Sequence, residues 1–408
     1  MRKNKKDRRT RGLVVKEKYI NRKVITCLGE LEYSRDLYFN KLENTYVKPI
    51  DCIFGIDPYE RICKYVKADL VDKATEFSYE KSKNLVGAVN ISRQSVRNAI
   101  LKANFEGEKG ILDTEKRSVK QLHVYADEDH VHLQKPNKVK GKASQIVPLV
   151  TVTEGTENIY RSRRKTKNPH HLVDGEFDTK KLWDRVDKYI QTNYDVDKIE
   201  KIYIHADCVR WIKNGLENYP YKVFATDGFH IKKYFKTIKG AKNPVCVKKI
   251  EYLIKSNQKD EAIIYMRDLC NTVEEIAVRN RCCEACNYII NNWDGIVNRY
   301  TLDIPGSCTE GQVSHVLSER FSRNPMGWSK EVLGKLSSFR VYKKNGNKID
   351  SSIYNCTKND SYNDYTLNTK EKLDWSIFDK EKFIFDEASA TRTAIKSIGS
   401  NISNIFGG

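Results

Sequence analysis

The order of apolar patterns between Gln121 and Gly228 constrains the fold more than any other feature of this sequence. Three stretches typical of β-strands come first: "QLHVYADED", "QIVPLVTVTEG" and "NIYRSRRK". The amphipathic helical stretch "DTKKLWDRVDKYIQTNY" then leads to "IEKIYIHADC", a buried strand that ends in an acid, and a helix, the strand "YKVFATDG" and a further helix follow. A run of strands followed by alternating strands and helices predicts a mixed α/β (α+β) fold.

Charge indicates which partners such a fold would attract. Lys and Arg outnumber Asp and Glu by 73 to 54, which gives a formal net charge of +19 and makes nucleic acid the first partner to expect. The chain has no run of about 18 apolar residues, and its first residues, "MRKNKKDRRTRG", lack the apolar core of a signal peptide. We therefore expect a cytoplasmic, nucleoid-associated protein that does not act in a membrane.

The segments on either side of the mixed region divide the chain further. Residues 1–20 are predicted to be a basic arm that either contacts phosphates or only keeps the chain in solution. Residues 21–60 predict a small β region, and residues 118–235 and 301–340 predict the two parts of a mixed α/β domain, separated by a helical insertion at 236–300. Residues 341–408 show no clear periodicity and are interpreted as a C-terminal tail without an assigned function.

Residues 61–105 have the pattern of a helix-turn-helix. Ser92 is a suitable N-cap for a helix that carries Arg93, Gln94 and Arg97 on its exposed faces. Short polar donors near the start of a recognition helix reach base edges in the major groove. The alternative stays open, because two packed helices with a polar outer face also occur in proteins that never bind DNA.

The 11 cysteines are odd in number and scattered, as expected for reduced thiols. The dense group "CCEAC" at Cys282–Cys286 has no second Cys or His pair at the spacing of a zinc finger or ribbon. The pattern therefore favours buried core thiols over a metal site.

Three acidic residues follow buried strands or open a helix. Strand alternation places Tyr125, Asp127 and Asp129 on one face, with Glu128 on the other, and Asp207 closes the strand "KIYIHAD". Glu310 opens a helix in which Val313, Leu317 and Phe321 recur at every fourth residue. Converging carboxylates repel one another unless divalent cations lie between them, and oxygen ligands suit Mg²⁺ or Mn²⁺. Any one of these acids taken alone has an equally ordinary explanation in helix dipoles and solubility.

Four blocks then resemble the signature blocks of bacterial insertion-sequence transposases of the ISLre type, relatives of the Mutator-like DDE transposases. They are "ADEDHVHLQ", "HADCVRWIKNG", "DGFHIKKYF" and "EGQVSHVLSERFSRNPMGWS", and the resemblance spans about Lys23 to Ser329. It implies an RNase H-like catalytic domain with an α-helical insertion between the second Asp and the Glu. It also implies DNA strand cleavage and strand transfer, element ends and target DNA as partners, and a homodimer or higher multimer on DNA.

The resemblance also assigns roles to particular residues. Asp127, Asp207 and Glu310 match the metal-binding triad for two Mg²⁺ ions, which Mn²⁺ can replace. Asp227, His230 and Trp211 match outer-shell or phosphate-orienting positions, and strand alternation, which puts Asp129 on the same face as Asp127, makes Asp129 a further candidate for an outer-shell role. We expect the residues that contact DNA to be Arg93, Gln94, Arg97, Arg163, Arg164, Lys232 and Lys233. Two other functions keep the same residues: a catalytically inactive, transposase-derived DNA-binding protein, and a metal-dependent nuclease without strand transfer.

Overall fold

A computed structural model describes residues 12–53, 56, 59–87, 91–104, 115–134, 143–160, 163–207, 209–241, 244–306, 308–324 and 326–354. Most of the predicted arm and most of the predicted tail lie outside these residues. Among the helices within these ranges, none has the combined length and apolar character that crossing a membrane requires.

The amino-terminal part consists of a small sheet followed by helices. Its antiparallel strands are β1 (Leu13–Thr26), β2 (Gly29–Asn40) and β3 (Thr45–Val47), and the short helix α1 (Pro49–Ile53) follows. The β region therefore begins at Leu13, inside the segment predicted to be the arm, because Leu13, Val14 and Val15 pair with the end of β2. This boundary is a correction to the sequence prediction.

Three helices follow: α2 (Lys64–Ala74), α3 (Tyr79–Val86) and α4 (Arg93–Lys102). The Ser92 side chain accepts a hydrogen bond from the Ser95 amide at 3.1 Å and caps α4, as the sequence predicts. Helix α4 buries Val96 and Ile100 and leaves its first residues exposed. The amphipathic pattern of this helix therefore packs one face into the core and presents the other to solvent.

A mixed five-stranded sheet forms the centre of the molecule. Its strands are β4 (Gln121–His132), β5 (Ser144–Thr153), β8 (His170–Leu172), β9 (Lys201–Ala206) and β10 (Lys222–Thr226), in the order β10-β9-β4-β5-β8. Strands β4, β9 and β10 are parallel, whereas β5 runs antiparallel to both β4 and β8. The third predicted strand instead forms a separate hairpin from β6 (Thr156–Tyr160) and β7 (Arg163–Thr166).

Each face of the sheet is covered by helices. Helix α5 (Thr179–Asn193), capped by Asp178, packs Leu182, Val186 and Ile190 against the face that carries Leu122, Val124 and Ala126. The other face carries Val131, Val147 and Leu149, and it packs against α2, α4, α14 (Lys330–Lys344) and the helical segment 309–321. That segment consists of α12 (Thr309–Val313), a π-helical turn at Ser314–Ser318 and α13 (Glu319–Phe321).

A helical unit separates β10 from α12. It contains α7 (Gly228–Ala241), α8 (Pro244–Lys255), α9 (Lys259–Asn271), α10 (Ile276–Asn291) and α11 (Trp293–Thr301), while the short helix α6 (Arg210–Lys213) lies between β9 and β10. This unit has a hydrophobic core of its own around Ile250, Met266, Ile289 and Trp293. Helices therefore occupy most of residues 236–300, as their sequence pattern predicts, and the first of these helices begins earlier than residue 236.

The predicted tail also begins later than the sequence indicated. Val341 and Ile349 are buried, and a 3-10 turn at Ser351–Tyr354 follows. The Tyr354 hydroxyl donates a hydrogen bond to the Ala99 carbonyl at 2.8 Å. Residues 341–354 thus belong to the folded core, since they pack against α2 and α4. The sequence did not indicate this, because their apolar side chains are widely spaced and show no period.

Candidate active site

The register of the parallel strands places three aspartates side by side at one edge of the sheet. Ala126 pairs with Ala206 and Ala206 pairs with Thr226, so each strand contributes an Asp at the next position. These residues are Asp127, Asp207 and Asp227. Carboxyl ends of parallel strands are where open sheets place their binding sites.

Glu310 reaches the same edge from a different element. It lies in the first turn of α12, which begins at Thr309 with Cys308 before it. Val313, Leu317 and Phe321 are buried in the core against the sheet, as their spacing predicts, and their packing fixes the helix that carries Glu310.

Asp127, His230 and Glu310 form the candidate metal-binding cluster. One side-chain nitrogen or oxygen of each residue lies within 4.8 Å of those of the other two. His230 comes from the first turn of α7 and lies between two acids, with its Nδ1 3.5 Å from Asp207 Oδ2 and its Nε2 3.8 Å from Glu310 Oε1. The imidazole therefore connects Asp207 to the cluster.

Asp207 has a second partner that the sequence did not indicate. The hydroxyl of Tyr288 donates a hydrogen bond of 2.6 Å to Asp207 Oδ1, and the Tyr288 ring stacks on Tyr234 with centroids 3.9 Å apart. Tyr288 is 81 residues away from Asp207 and belongs to α10. No local pattern could have identified this contact, because it depends on how the helical unit docks beside the sheet.

Electrostatics at this edge favour a bound cation. Burial is the main cause that raises the pKa of Asp127 to about 6, and the negative charges of Glu310 and Asp227 contribute to that rise. The Glu128 amide, which donates a hydrogen bond of 2.8 Å to Asp127 Oδ1, and the neighbouring His230 oppose that rise. A divalent cation would relieve the repulsion, and the donor set of carboxylate oxygens with one imidazole fits Mg²⁺ or Mn²⁺.

The two acids that follow Asp127 lie in different surroundings. Glu128 lies on the opposite face, where its carboxylate accepts a hydrogen bond of 3.1 Å from the Trp211 indole. The expected outer-shell or phosphate-orienting role of Trp211 stays a prediction. Asp129 is buried and accepts a hydrogen bond of 2.8 Å from Ser322. Burial raises the pKa of Asp129, while bonds from Ser322 and Ser318 oppose the rise.

A buried polar network joins the strands that lead to Asp127, Asp207 and Asp227. Arg299 of α11 donates to the Thr226 carbonyl at 3.0 Å and lies 2.6 Å from His205 Nδ1. His205 Nε2 lies 2.9 Å from His123 Nδ1, so a neutral His205 that accepts from Arg299 donates onward to His123. Burial and the nearby Arg299 lower the pKa of both imidazoles. Asp227 caps α7 by accepting from the Phe229 amide at 2.9 Å.

Comparison with known proteins places the chain in a family. The sequence matches UPF0236, an uncharacterised protein family, over residues 2–355. The chain belongs to UPF0236. Three UPF0236 proteins of Caldanaerobacter subterraneus subsp. tengcongensis are each 35% identical to it over 369 residues, which cover 90% of this chain and 77%, 78% and 73% of the relatives. Among solved structures, the Drosophila P element transposase strand transfer complex is similar at a TM-score of 0.25 and 11% identity, with coverage of 71% of this chain and 83% of that chain.

The residues predicted to contact DNA lie on three elements of this UPF0236 protein. Arg93 and Gln94 are exposed at the start of α4, and Arg97 is half-buried one turn later. Lys232 and Lys233 are exposed on α7, two and three residues after His230 of the cluster. Arg163 and Arg164 lie in β7, with backbones that pair with β6.

Proposed function

We propose that this UPF0236 protein is a DDE transposase that cleaves DNA at the ends of its insertion sequence and joins those ends to target DNA. The observation that carries the proposal is the convergence of Asp127, His230 and Glu310, with Asp207 connected through His230, at the edge of the parallel strands. These four residues come from four separate elements. The sequence blocks that resemble ISLre-type transposases contain all of them.

The topology of the sheet supports an RNase H-like domain. In the five-stranded sheet, β4, β5 and β8 are the first three strands in chain order, and they are antiparallel neighbours. The last two strands, β9 and β10, are parallel to β4. The helical unit enters between β10 and α12, which is where the resemblance expects an insertion between the second Asp and the Glu. This arrangement brings residues far apart in sequence to one edge.

The carboxylates of Asp127, Asp207 and Glu310 would hold two Mg²⁺ ions, or Mn²⁺ in their place. Such ions activate an attacking oxygen and stabilise the leaving oxygen in phosphoryl transfer. The residues of the chain position and tune these carboxylates. Tyr288 orients Asp207 by its hydrogen bond, and the Glu128 amide orients Asp127.

Basic and polar side chains on two helices would bind the DNA substrate. Lys232 and Lys233 follow His230 on the exposed face of α7, within reach of a phosphate backbone that enters the cluster. Arg93 and Gln94 at the start of α4 form a second surface, suited to base edges or phosphates. The net charge of +19 would draw DNA toward the protein from a distance.

The test uses a supercoiled plasmid that contains the coding region with its native flanking sequence. We expect wild-type protein with Mg²⁺ to nick this DNA at the element ends and to produce joined products that sequencing can map. Asp127→Asn removes one charge with little change of shape and should abolish cleavage while DNA binding persists. Glu128→Gln, a matched change on the opposite strand face, should retain most activity.

Each remaining outcome selects a different function. Mapped cleavage without joined products would identify a metal-dependent nuclease that does not transfer strands. Specific binding of the element ends without any cleavage would identify a DNA-binding protein derived from a transposase. Equal cleavage by wild-type protein and Asp127→Asn would contradict the proposed role of the cluster.

A further inference from the structure

A second group of metal-ligating side chains lies in the core of the helical unit. Cys270 of α9 and both Cys282 and Cys286 of α10 are buried, and their three Sγ atoms lie within 4.8 Å of one another. The sequence motif "CCEAC" supplies only two of these thiols. The third comes from the preceding helix, which the spacing in sequence did not reveal.

Two further thiols border this trio. Cys283 is half-buried, and burial together with the neighbouring Cys270 raises its pKa to about 11. Cys246 of α8 is buried, and its proximity contributes to the raised pKa of Cys282, for which burial is the main cause. Five of the chain's 11 cysteines therefore meet in one hydrophobic core.

The geometry of the trio suits a tetrahedral thiolate site. Zinc binds cysteine sulfur at about 2.3 Å, so two thiolates of one tetrahedral zinc ion lie about 3.8 Å apart. Sulfur atoms within 4.8 Å of one another reach that separation by small side-chain adjustments. Cys282 and Cys286 are four residues apart on one helical face, and Cys270 faces them from α9.

We propose that Cys270, Cys282 and Cys286 bind a structural zinc ion in the core of the helical unit, with Cys283 or Cys246 as the fourth ligand. Soft thiolate ligands select zinc over Mg²⁺, so this site is distinct in chemistry from the carboxylate cluster. Metal binding at the thiolate site and at the carboxylate cluster can therefore be measured separately.

Such an ion would stabilise the helix that reaches the candidate active site. Tyr288, whose hydroxyl bonds to Asp207, follows Cys286 by two residues on α10. A zinc ion that joins α9 to α10 would hold this helix in place, since the free energy of metal binding adds to the stability of the folded form. The proposal does not depend on DNA cleavage.

The test uses the full-length protein purified under reducing conditions, with zinc content measured by elemental analysis and thiols counted after denaturation. We expect one zinc ion per chain and 11 titratable thiols once the ion has been removed. Cobalt exchanged into this site should show sulfur-to-cobalt charge-transfer absorption, which the oxygen and nitrogen ligands of the carboxylate cluster cannot produce. Excess Mg²⁺ should leave that absorption unchanged.

The variants Cys286→Ser and Cys270→Ser should lose the ion, whereas Cys27→Ser, a change at an exposed cysteine outside the helical unit, should retain it. Metal-free wild-type protein with 11 free thiols and no thiolate absorption on addition of cobalt would overturn the proposal, and the cysteines would be core thiols only. Metal-free protein with fewer free thiols would overturn it in favour of a disulfide. Because the cobalt spectrum is recorded on wild-type protein, the test still decides the proposal if a variant fails to fold.

Discussion

Replacing Arg340 should destabilise the protein strongly, because this buried side chain joins α14 to two other parts of the fold. Arg340 is 1% exposed and donates to the Thr75 carbonyl at 2.8 Å and to Glu76 Oε2 at 2.7 Å. It also donates to the carbonyls of His315, at 3.0 Å, and Val316. The guanidinium thus connects the end of α2 with the π-helical turn that follows Glu310.

The variant Arg340→Met keeps most of the length of the side chain but removes all of its donors. A buried acceptor that loses its donor costs about 1–3 kcal/mol, and breaking a buried ion pair by removing one partner costs about 3–5 kcal/mol. Glu76 is partly exposed and can turn to water, so the carbonyls carry most of the loss. Three carbonyls each lose a donor at a cost of about 1–3 kcal/mol, so we expect the free energy of unfolding to fall by at least about 3 kcal/mol.

The assay is urea unfolding followed by circular dichroism, with Lys343→Met as the matched control. Lys343 lies on the same helix and pairs with Asp72 at 2.8 Å, but its side chain is 30% exposed. An ion pair with that exposure contributes about 1 kcal/mol or less. A loss below about 1 kcal/mol in Arg340→Met, or equal losses in both variants, would refute the reasoning.

Three further predictions concern other parts of the molecule. Burial lowers the pKa of His123 to about 4, so the unfolded chain binds a proton there that the folded protein does not; as the pH decreases from 6.5 to 4, wild-type protein should lose about 3 kcal/mol more stability than His123→Phe, and above pH 6.5 the two should respond alike. Urea unfolding across this range tests it, and a His123→Phe variant with the same pH dependence would contradict it. Gly334→Ala would place a Cβ 1.9 Å from the Gly175 carbonyl oxygen and should cost about 1–3 kcal/mol in thermal unfolding, whereas an unchanged midpoint would exclude that close approach. Arg93→Ala with Arg97→Ala should weaken binding to the element ends and reduce its salt dependence, and equal affinity at one stated salt concentration would remove α4 from the DNA surface.

The local features of this chain could be predicted because they depend on neighbouring residues. The Ser92 cap, the alternation that separates Asp127 from Glu128, and the helical spacing of Val313 and Leu317 each follow from residues within a few positions. The structure shows all of them. The mixed α/β class followed in the same way from the order of the patterns.

The remaining features depend on contacts between distant segments. Tyr288 meets Asp207, and Cys270 meets Cys286, only after the helical unit has folded against itself and beside the sheet. The packing of residues 341–354 has the same origin, since their few apolar side chains are buried only because other segments of the fold lie beneath them. No pattern within a short window of sequence contains this information.

Manganese binding tests the central claim most directly, because Mn²⁺ is paramagnetic and the electron paramagnetic resonance signal of the free ion disappears when the ion binds to protein. The titration starts from the Cys286→Ser protein, so that no thiolate site contributes, and compares it with the same protein carrying Asp127→Asn or the matched control Glu128→Gln. We expect the unaltered cluster and Glu128→Gln to bind Mn²⁺ alike, and Asp127→Asn to bind far more weakly, because Asp127 lies in the cluster with His230 and Glu310 whereas Glu128 contacts Trp211. Undiminished Mn²⁺ binding in Asp127→Asn would contradict the assignment of this cluster as the metal site.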